Sequence, residues 1–570
     1  MRKNIAMMLA LIATTAMAQT KTTGEAEIKG GMGSENPLAA SLKLKIDNGK
    51  LVFSPYASIS VIGKDASATK ETKDYTYVRT GSTYLSEMEK KSSGSKLNYG
   101  FNFNYTLPSA DYITASLDGS HLTKDTDVKF IERLTKTGGE TAYANGAGNS
   151  PFSSKEKDLK ASVGYRHYLD RNGQTIGIKY QFANNTTDED NTLKYFSSRH
   201  MEQLTENHIT GKQSVQDHLV TLDWEKRFLG IHYIQAGASY LNRVQKSDVT
   251  QTFESLRWEN TFLKHTMKTT SAFANYGLRT KLIDANASLR YEYTDMNGKA
   301  LNDIVPNADV TWKMDGSSSL KAAFSTRIVR PTLNYLNPTY LRWAFEEVYS
   351  TEKVKEVFPF VNCDIEGIHL KNFSLVYLLR KQKVTFTTAL AHIFTDDGFN
   401  AIWIEQNEMR KSFWGNEGVR RAWSLTPDVE WRVSPKTVLG GKVNVIWDKR
   451  IAYAIDCAYE HWGVTTQARL KQELPLGIKM KIQGDYSEGN TIDLYSHYGR
   501  MLHFGAGFER SFLKDNRLTA SLSYDYTDYA KIIFKQDKAI KIPNSGFYTG
   551  YSHIRPTSRN AASLSLKYRF

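Results

Sequence analysis

The chain of 570 residues carries a net charge of +14, has 13 prolines and is 24% charged and 12% aromatic, with Tyr alone supplying 32 residues. The charged fraction excludes a disordered chain and the few prolines exclude Pro-rich linkers. A mean hydropathy of −0.48, with no mature stretch near the ~20 apolar residues of a spanning helix, excludes a helical membrane protein but not a barrel whose apolar residues alternate with polar ones.

The N-terminus comes first. Arg2 and Lys3 precede the apolar run Ile5 to Ala13, and Ala16-Met17-Ala18 before Gln19 has the small-x-small form of a cleavage site. Residues 1–18 are therefore expected to be a signal peptide, 19–23 a short periplasmic N-terminus and 24–570 an outer-membrane β-barrel domain. A first strand is expected over Glu25 to Gly33.

From there the side chains alternate with a period of two, the mark of strands with one apolar face. Leu42, Leu44 and Ile46 alternate with Lys43, Lys45 and Asp47, and Leu97, Tyr99, Phe101, Phe103, Tyr105 and Leu107 stand against Asn98, Gly100, Asn102, Asn104 and Thr106. Ile478, Met480 and Ile482 do the same against Lys479, Lys481 and Gln483, as do Leu518 to Tyr526 against Thr519 to Thr527. The chain ends on Leu564, Leu566, Tyr568 and Phe570 alternating with Ser565, Lys567 and Arg569.

Short polar turns fall near Asp47-Asn48-Gly49, Pro108-Ser109, Asp170 to Gly173, Leu229-Gly230 and Asp284-Ala285. Five more fall near Asp315-Gly316, Arg380 to Gln382, Ser434-Pro435, Leu474-Pro475 and Asp515-Asn516. Ten turns joining strands in pairs, with one further strand at each end, predict about 22 antiparallel strands, within about two. Between the turns lie longer polar segments, near 65–95, 122–156, 184–216, 243–265, 329–370, 395–420, 448–461, 485–498 and 530–558, with short ones near 34–38 and 294–300. Short periplasmic turns and long extracellular loops are the asymmetry of an outer-membrane barrel, and closure removes the edges that a soluble sheet of this length would expose. Both termini then face the periplasm. Tyr524, Tyr526 and Tyr529 read as part of an interfacial aromatic girdle.

Two cysteines, Cys363 and Cys457, are too few for a disulfide-dependent scaffold, and whether they pair is not fixed by sequence. No H-E-x-x-H, G-x-S-x-G, P-loop or G-x-G-x-x-G occurs, so no catalytic residue, metal or cofactor is expected. Asp188, Glu189 and Asp190 have Leu193 where an EF-hand has glycine and read as a solvated charge cluster. No module interleaves aromatic and basic residues as nucleic-acid binding requires.

Arg327-Ile328-Val329-Arg330-Pro331-Thr332-Leu333-Asn334-Tyr335-Leu336-Asn337-Pro338 resembles the R-x-x-R-P…L-N-P run found in mid-barrel in the TonB-dependent receptor-like outer-membrane β-barrel family of Bacteroidota. Within it Arg327, Arg330, Pro331, Leu336, Asn337 and Pro338 match the motif. The hairpin from Pro37 to Gly63 resembles that family's opening strands. The resemblance implies a 22-stranded barrel and a role in passing a solute across the outer membrane. The terminal Leu566, Tyr568 and Phe570 resemble the aromatic signal read by the barrel assembly machinery. Two departures stand out. The family carries an N-terminal plug and a TonB-contacting segment, both expected to be missing here, so TonB is not an expected partner. Its Gly-Asn-Pro-x-Leu segment is replaced by Ser350 to Phe360.

An unplugged lumen of this size must be filled by loops, by side chains or by a second protein, a plug or surface partner. Otherwise the barrel is a scaffold, surface-binding or assembly component. Parity places Lys43, Lys45, Arg290, Arg327, Lys479, Lys481, Lys567 and Arg569 inside, a basic lumen that would favour anions unless acids such as Glu292, Asp223 and Glu225 pair with it. Outside, the expected partners are outer-membrane lipid and lipopolysaccharide.

Overall fold

The computed structural model describes Lys21 to Phe570 except residues 34–36, 65–67, 79, 137–143, 171–172, 198–202, 254–256, 337–340, 343–345, 349–355, 358–366, 397–398, 407–408, 417, 453–456, 493–495, 535–544, 547 and 557–559. Residues 1–18, expected to be a signal peptide, together with Asn337, Pro338, Cys363 and nearly all of Ser350 to Phe360, lie outside the described residues.

Twenty-two antiparallel strands form one closed wall. The first eleven are Lys21–Met32, Leu38–Asp47, Leu51–Ile62, Thr83–Thr106, Tyr112–Thr135, Phe152–Tyr168, Thr175–Ser197, Gln203–Phe228, His232–Phe253, Arg257–Arg279 and Ile283–Met296. Then come Lys299–Lys313, Ser318–Val329, Ile368–Lys381, Val384–Asp396, Val419–Ser434, Thr437–Ala452, Cys457–Glu473, Lys479–Glu488, Met501–Phe512, Leu518–Asp528 and Asn560–Arg569. Closure is made by the first strand, which pairs with its neighbour from Gly30↔Leu38 to Lys21↔Asp47 and with the last from Met32↔Ala562 to Glu25↔Arg569. On its outer side Gly24 has no room for a side chain, because a Cβ there would sit 2.4 Å from the Phe570 ring.

Turn chemistry at the short-connection end follows from local side chains. Asp47 Oδ1 accepts from the Gly49 N–H at 2.9 Å, and Gly49 takes the positive φ of 86° that the reversal demands. The turn expected near Asp284 forms at residues 280–282 instead, because Thr280 Oγ1 accepts from the Leu282 and Ile283 N–H groups at 3.2 and 2.8 Å. Asp284 is thereby left in the strand, 2.7 Å from Lys313 Nζ. Asp315 accepts from the Ser317 and Ser318 N–H groups at 2.7 and 2.6 Å and from the Ser317 hydroxyl at 2.8 Å. Those bonds, the Ser317 hydroxyl's foremost, hold its carboxyl at about 2, below the usual 3.8. A depressed value stabilises the fold above pH 4 and the gain disappears as pH falls toward 2. The thermal stability of Asp315→Asn is therefore expected to lag the wild type at neutral pH and to converge with it by about pH 2, read as the heat-induced shift in gel mobility. A gap independent of pH would contradict this.

The other end differs from the sequence expectation. Segments read as loops are largely continued strand: Gln203–Phe228 runs 26 residues and Thr175–Ser197 runs 23, against the ~9–11 that span a bilayer. Their hydrogen-bond ladder continues after the apolar alternation has stopped, since backbone pairing needs no apolar face. Shorter strands, among them Thr69–Tyr77 and Lys531–Phe534, pair beside these extensions. Tyr75, Tyr77, Tyr84, Phe130, Leu134, Leu193 and Phe534 form a buried apolar cluster there. A second, five-stranded sheet joins Leu341–Arg342, Glu346–Val348, Phe399–Gln406, Met409–Asn416 and Ser545–Gly546, drawn from three long connections.

Candidate functional site: the barrel interior

Alternation gives the wall two unlike faces. Outward are exposed apolar side chains such as Ile28, Tyr291, Ile304, Phe373, Leu522 and Leu566. Inward are charged and amide side chains, paired along and across strands. At the closing seam Lys567 Nζ lies 3.2 Å from Glu25 and 3.8 Å from Glu27, and Arg569 Nε lies 3.3 Å from Glu25. Lys45 is 2.9 Å from Asp47 and Arg290 2.8 Å from Glu292. Arg166, not singled out in the sequence, reaches Asp223 at 2.9 Å and Glu225 at 3.3 Å. Lys43, Lys479, Lys481 and Arg327 form no ion pair with another described residue. Even so, Lys43 faces Glu25 across the ladder, and Lys479 lies between Glu473 and Glu509. Half of the eight cations expected in the lumen are thus held by acids: Lys45 and Arg290 along their own strands, Lys567 and Arg569 across the closing seam.

Toward the long-connection end the lumen is occupied by the chain itself. After Val329 the backbone leaves the wall, and the single-turn helix Leu333–Leu336 packs against the strand His232–Phe253. Gln245, Ser247, Val249 and Gln251, alternate residues of that strand's inner face, are buried. Arg330 holds the departure point. Its guanidinium donates to the Asp303 carboxylate and, at 3.3 Å, to the Thr294 hydroxyl, while His369 Nε2 lies 2.7 Å from the other Asp303 oxygen. Arg330 and Asp303 side chains are only 10% and 7% exposed, so the pair works with little solvent screening. Pro331 is buried beside it. Tyr335 meets Trp414 edge-on at 4.8 Å, joining the inward segment to the five-stranded sheet. Gly367 leaves room for Arg330, since a Cβ there would lie 2.8 Å from its Nη1.

Arg330, Pro331, Tyr335 and Leu336 of the motif are therefore brought to one place, whereas Arg327 stays on the wall with an exposed side chain. A second anchor was missed in the sequence. Asp448 is buried between Arg420 Nη2 at 2.9 Å and Arg450 Nη2 at 3.4 Å, and Arg450 Nη1 donates to the Ile492 carbonyl at 2.7 Å. The signal was faint: Asp448 stands out only as an acid on the inward parity of Thr437–Ala452.

Leu566 and Tyr568 lie outward on the closing strand, where they face Ile28 and Ala26, and the Tyr568 and Phe570 rings stack at 6.2 Å. Asp188, Glu189 and Asp190 lie on a strand rather than a loop, with Asp190 Oδ1 2.9 Å from His208 Nε2. Among the described residues no group of three or more His, Cys, Asp or Glu side chains is arranged to hold a metal ion.

A closed wall with an apolar exterior and a charged, hydrogen-bonded interior defines a transmembrane β-barrel. Residues 167–568 match the model of the outer membrane protein beta-barrel family, and the chain belongs to that family, which places it in the outer membrane. Its fold is similar to that of the FrpB iron transporter from Neisseria meningitidis (TM-score 0.57, 9% identity, covering 98% of this chain and 84% of that one). It is also similar to the siderophore receptor PiuA from Acinetobacter baumannii (0.58, 10%, 97% and 82%) and to the copper transporter OprC (0.57, 9%, 97% and 81%). No curated protein matches the sequence.

Proposed function

We propose that this barrel passes a polar solute across the outer membrane, with its short turns and both termini on the periplasmic side. The observation that carries the reading is the inward face: ion pairs such as Arg166–Asp223 and Arg290–Glu292 line the wall where a solid protein would have an apolar core. Control of passage falls to the segment Arg330–Leu336, the described element that leaves the wall and packs on its inner face. Because half of the expected wall cations are paired with acids, the passage discriminates only weakly by charge. No residue is assigned a catalytic role, and Leu566, Tyr568 and Phe570 serve assembly. The resemblance to iron, siderophore and copper transport proteins supports solute transport as the class of activity, without carrying over a solute. Single-channel recording from the refolded chain tests the proposal.

A second reading is favoured by one observation. The apolar cluster around Tyr75 and Phe130 and the five-stranded sheet build ordered mass at the long-connection end, as a surface-binding barrel would need. A folded chain that binds a partner there and does not conduct would select this reading.

A further inference from the structure

Five neighbouring strands, from Ile368–Lys381 to Cys457–Glu473, carry a layered outward face. Leu375, Leu390, Leu425, Val445 and Val464 stand side by side in register. Two residues further toward the long-connection end the same strands present Phe373, His392, Trp423, Trp447 and Trp462. Two residues beyond that come Lys371, Phe394, Arg421, Lys449 and Glu460. Each step advances about 7 Å along a strand. Aliphatic, then aromatic, then charged is the order of hydrocarbon, interface and headgroup in a bilayer, so the third row stands at headgroup level.

The cations of that row converge. Lys371 Nζ lies 5.5 Å and Arg421 Cζ 5.7 Å from the centre of the one Phe394 ring. Arg421 is exposed and forms no ion pair with another described residue. The carboxylate nearest Lys371, Asp396, is 3.8 Å away, and both side chains are more than two-fifths exposed. Lys449, by contrast, is paired with Glu460 at 3.4 Å, which the Trp447 Nε1–H also holds at 2.9 Å. Two cations gathered over one ring with a single weak acid beside them make an anion site, and at this height the anion within reach is a lipid phosphate.

We propose that Lys371 and Arg421 bind a phosphate of a phosphorylated outer-leaflet lipid whose acyl chains lie against Trp423, Phe373 and the leucine row. The proposal rests on the reading that the long-connection end faces the cell exterior. Its binding assay, done in detergent, does not depend on orientation, whereas labelling of a cysteine placed at Lys514, in a chain carrying Cys363→Ser and Cys457→Ser, on intact cells reports orientation alone.

The experiment is native mass spectrometry of the full refolded barrel in detergent with diphosphorylated lipid A, with phosphatidylcholine and inorganic phosphate as separate arms. The wild type is expected to retain lipid A. The double variant Lys371→Gln/Arg421→Gln is expected to lose it more than tenfold, while Lys371→Arg and Lys514→Gln keep it, all with unchanged heat-modifiable mobility. Inorganic phosphate at equal concentration is expected not to displace the lipid. Equal lipid A retention by wild type and double variant overturns the proposal, as does equal retention of phosphatidylcholine and lipid A by the wild type, or displacement by inorganic phosphate.

Discussion

Asp303→Asn is expected to release the inward segment and raise the conductance of the reconstituted barrel severalfold. The carboxylate is the joint acceptor for the Arg330 guanidinium and the His369 ring. An asparagine can still accept from Arg330 but leaves its charge uncompensated where that side chain is 10% exposed. Removing one member of a buried pair in this way costs roughly 3–5 kcal/mol. The inner-wall ladder is untouched, so the loss falls on the segment from Arg330 to Leu336 and the protein stays folded in heat-modifiability gels. Limited chymotryptic digestion should cut the variant within the segment that follows Pro331, at Leu333, Tyr335 or Leu336, under conditions that spare the wild type. Unchanged conductance together with unchanged proteolysis would show that this contact does not hold the segment.

The largest loss of stability is expected from Asp448→Ala. Its side chain is 2% exposed and lies between two guanidinium groups, and without it both face each other unneutralised, again a loss of roughly 3–5 kcal/mol. Lys449→Gln, one residue on, breaks a pair with Glu460 that is 36% and 50% exposed and should cost no more than about 1 kcal/mol. Urea midpoints in a fixed lipid composition measure the contrast. The double change Arg420→Leu/Asp448→Leu should recover part of the loss, since it removes one of the two guanidinium groups left without a carboxylate, while Arg450 keeps its bond to the Ile492 carbonyl. Similar midpoints for Asp448→Ala and Lys449→Gln would contradict the account.

Much of this fold is legible in the sequence because a barrel wall obeys one rule. Alternation marked each membrane-facing stretch, and turns such as Asp47-Asn48-Gly49 and Asp315-Gly316 name their own chemistry. The 22 strands follow from counting those turns. Thr280 escaped because its hydroxyl cap resembles any strand threonine, while Asp284, a turn former by type, is held in the strand by Lys313. The long strands such as Gln203–Phe228 escaped for another reason: beyond the bilayer both faces of a strand are polar, and the sequence then looks like a loop. At the interior, parity told which side Lys567 and Arg290 take and put Glu292 within reach of Arg290, but it did not give the partner of Lys567, because Glu25 and Lys567 are set opposite each other only by closure of the barrel. The inward path after Val329 had no signal in periodicity. Only the Arg330-Pro331 motif pointed to it, and a motif does not say which carboxylate receives its arginine.

The measurement that tests the account most directly is single-channel recording from the refolded wild-type chain in a planar bilayer, with cation and anion reversal potentials. A steady conductance with weak ion preference is the predicted result, because the lumen is polar and several of its cations, among them Lys567, Arg290 and Arg166, are paired with Glu25, Glu292, Asp223 and Glu225. A chain that folds and inserts yet passes no current would contradict a solute passage and turn attention to the ordered surface at the long-connection end.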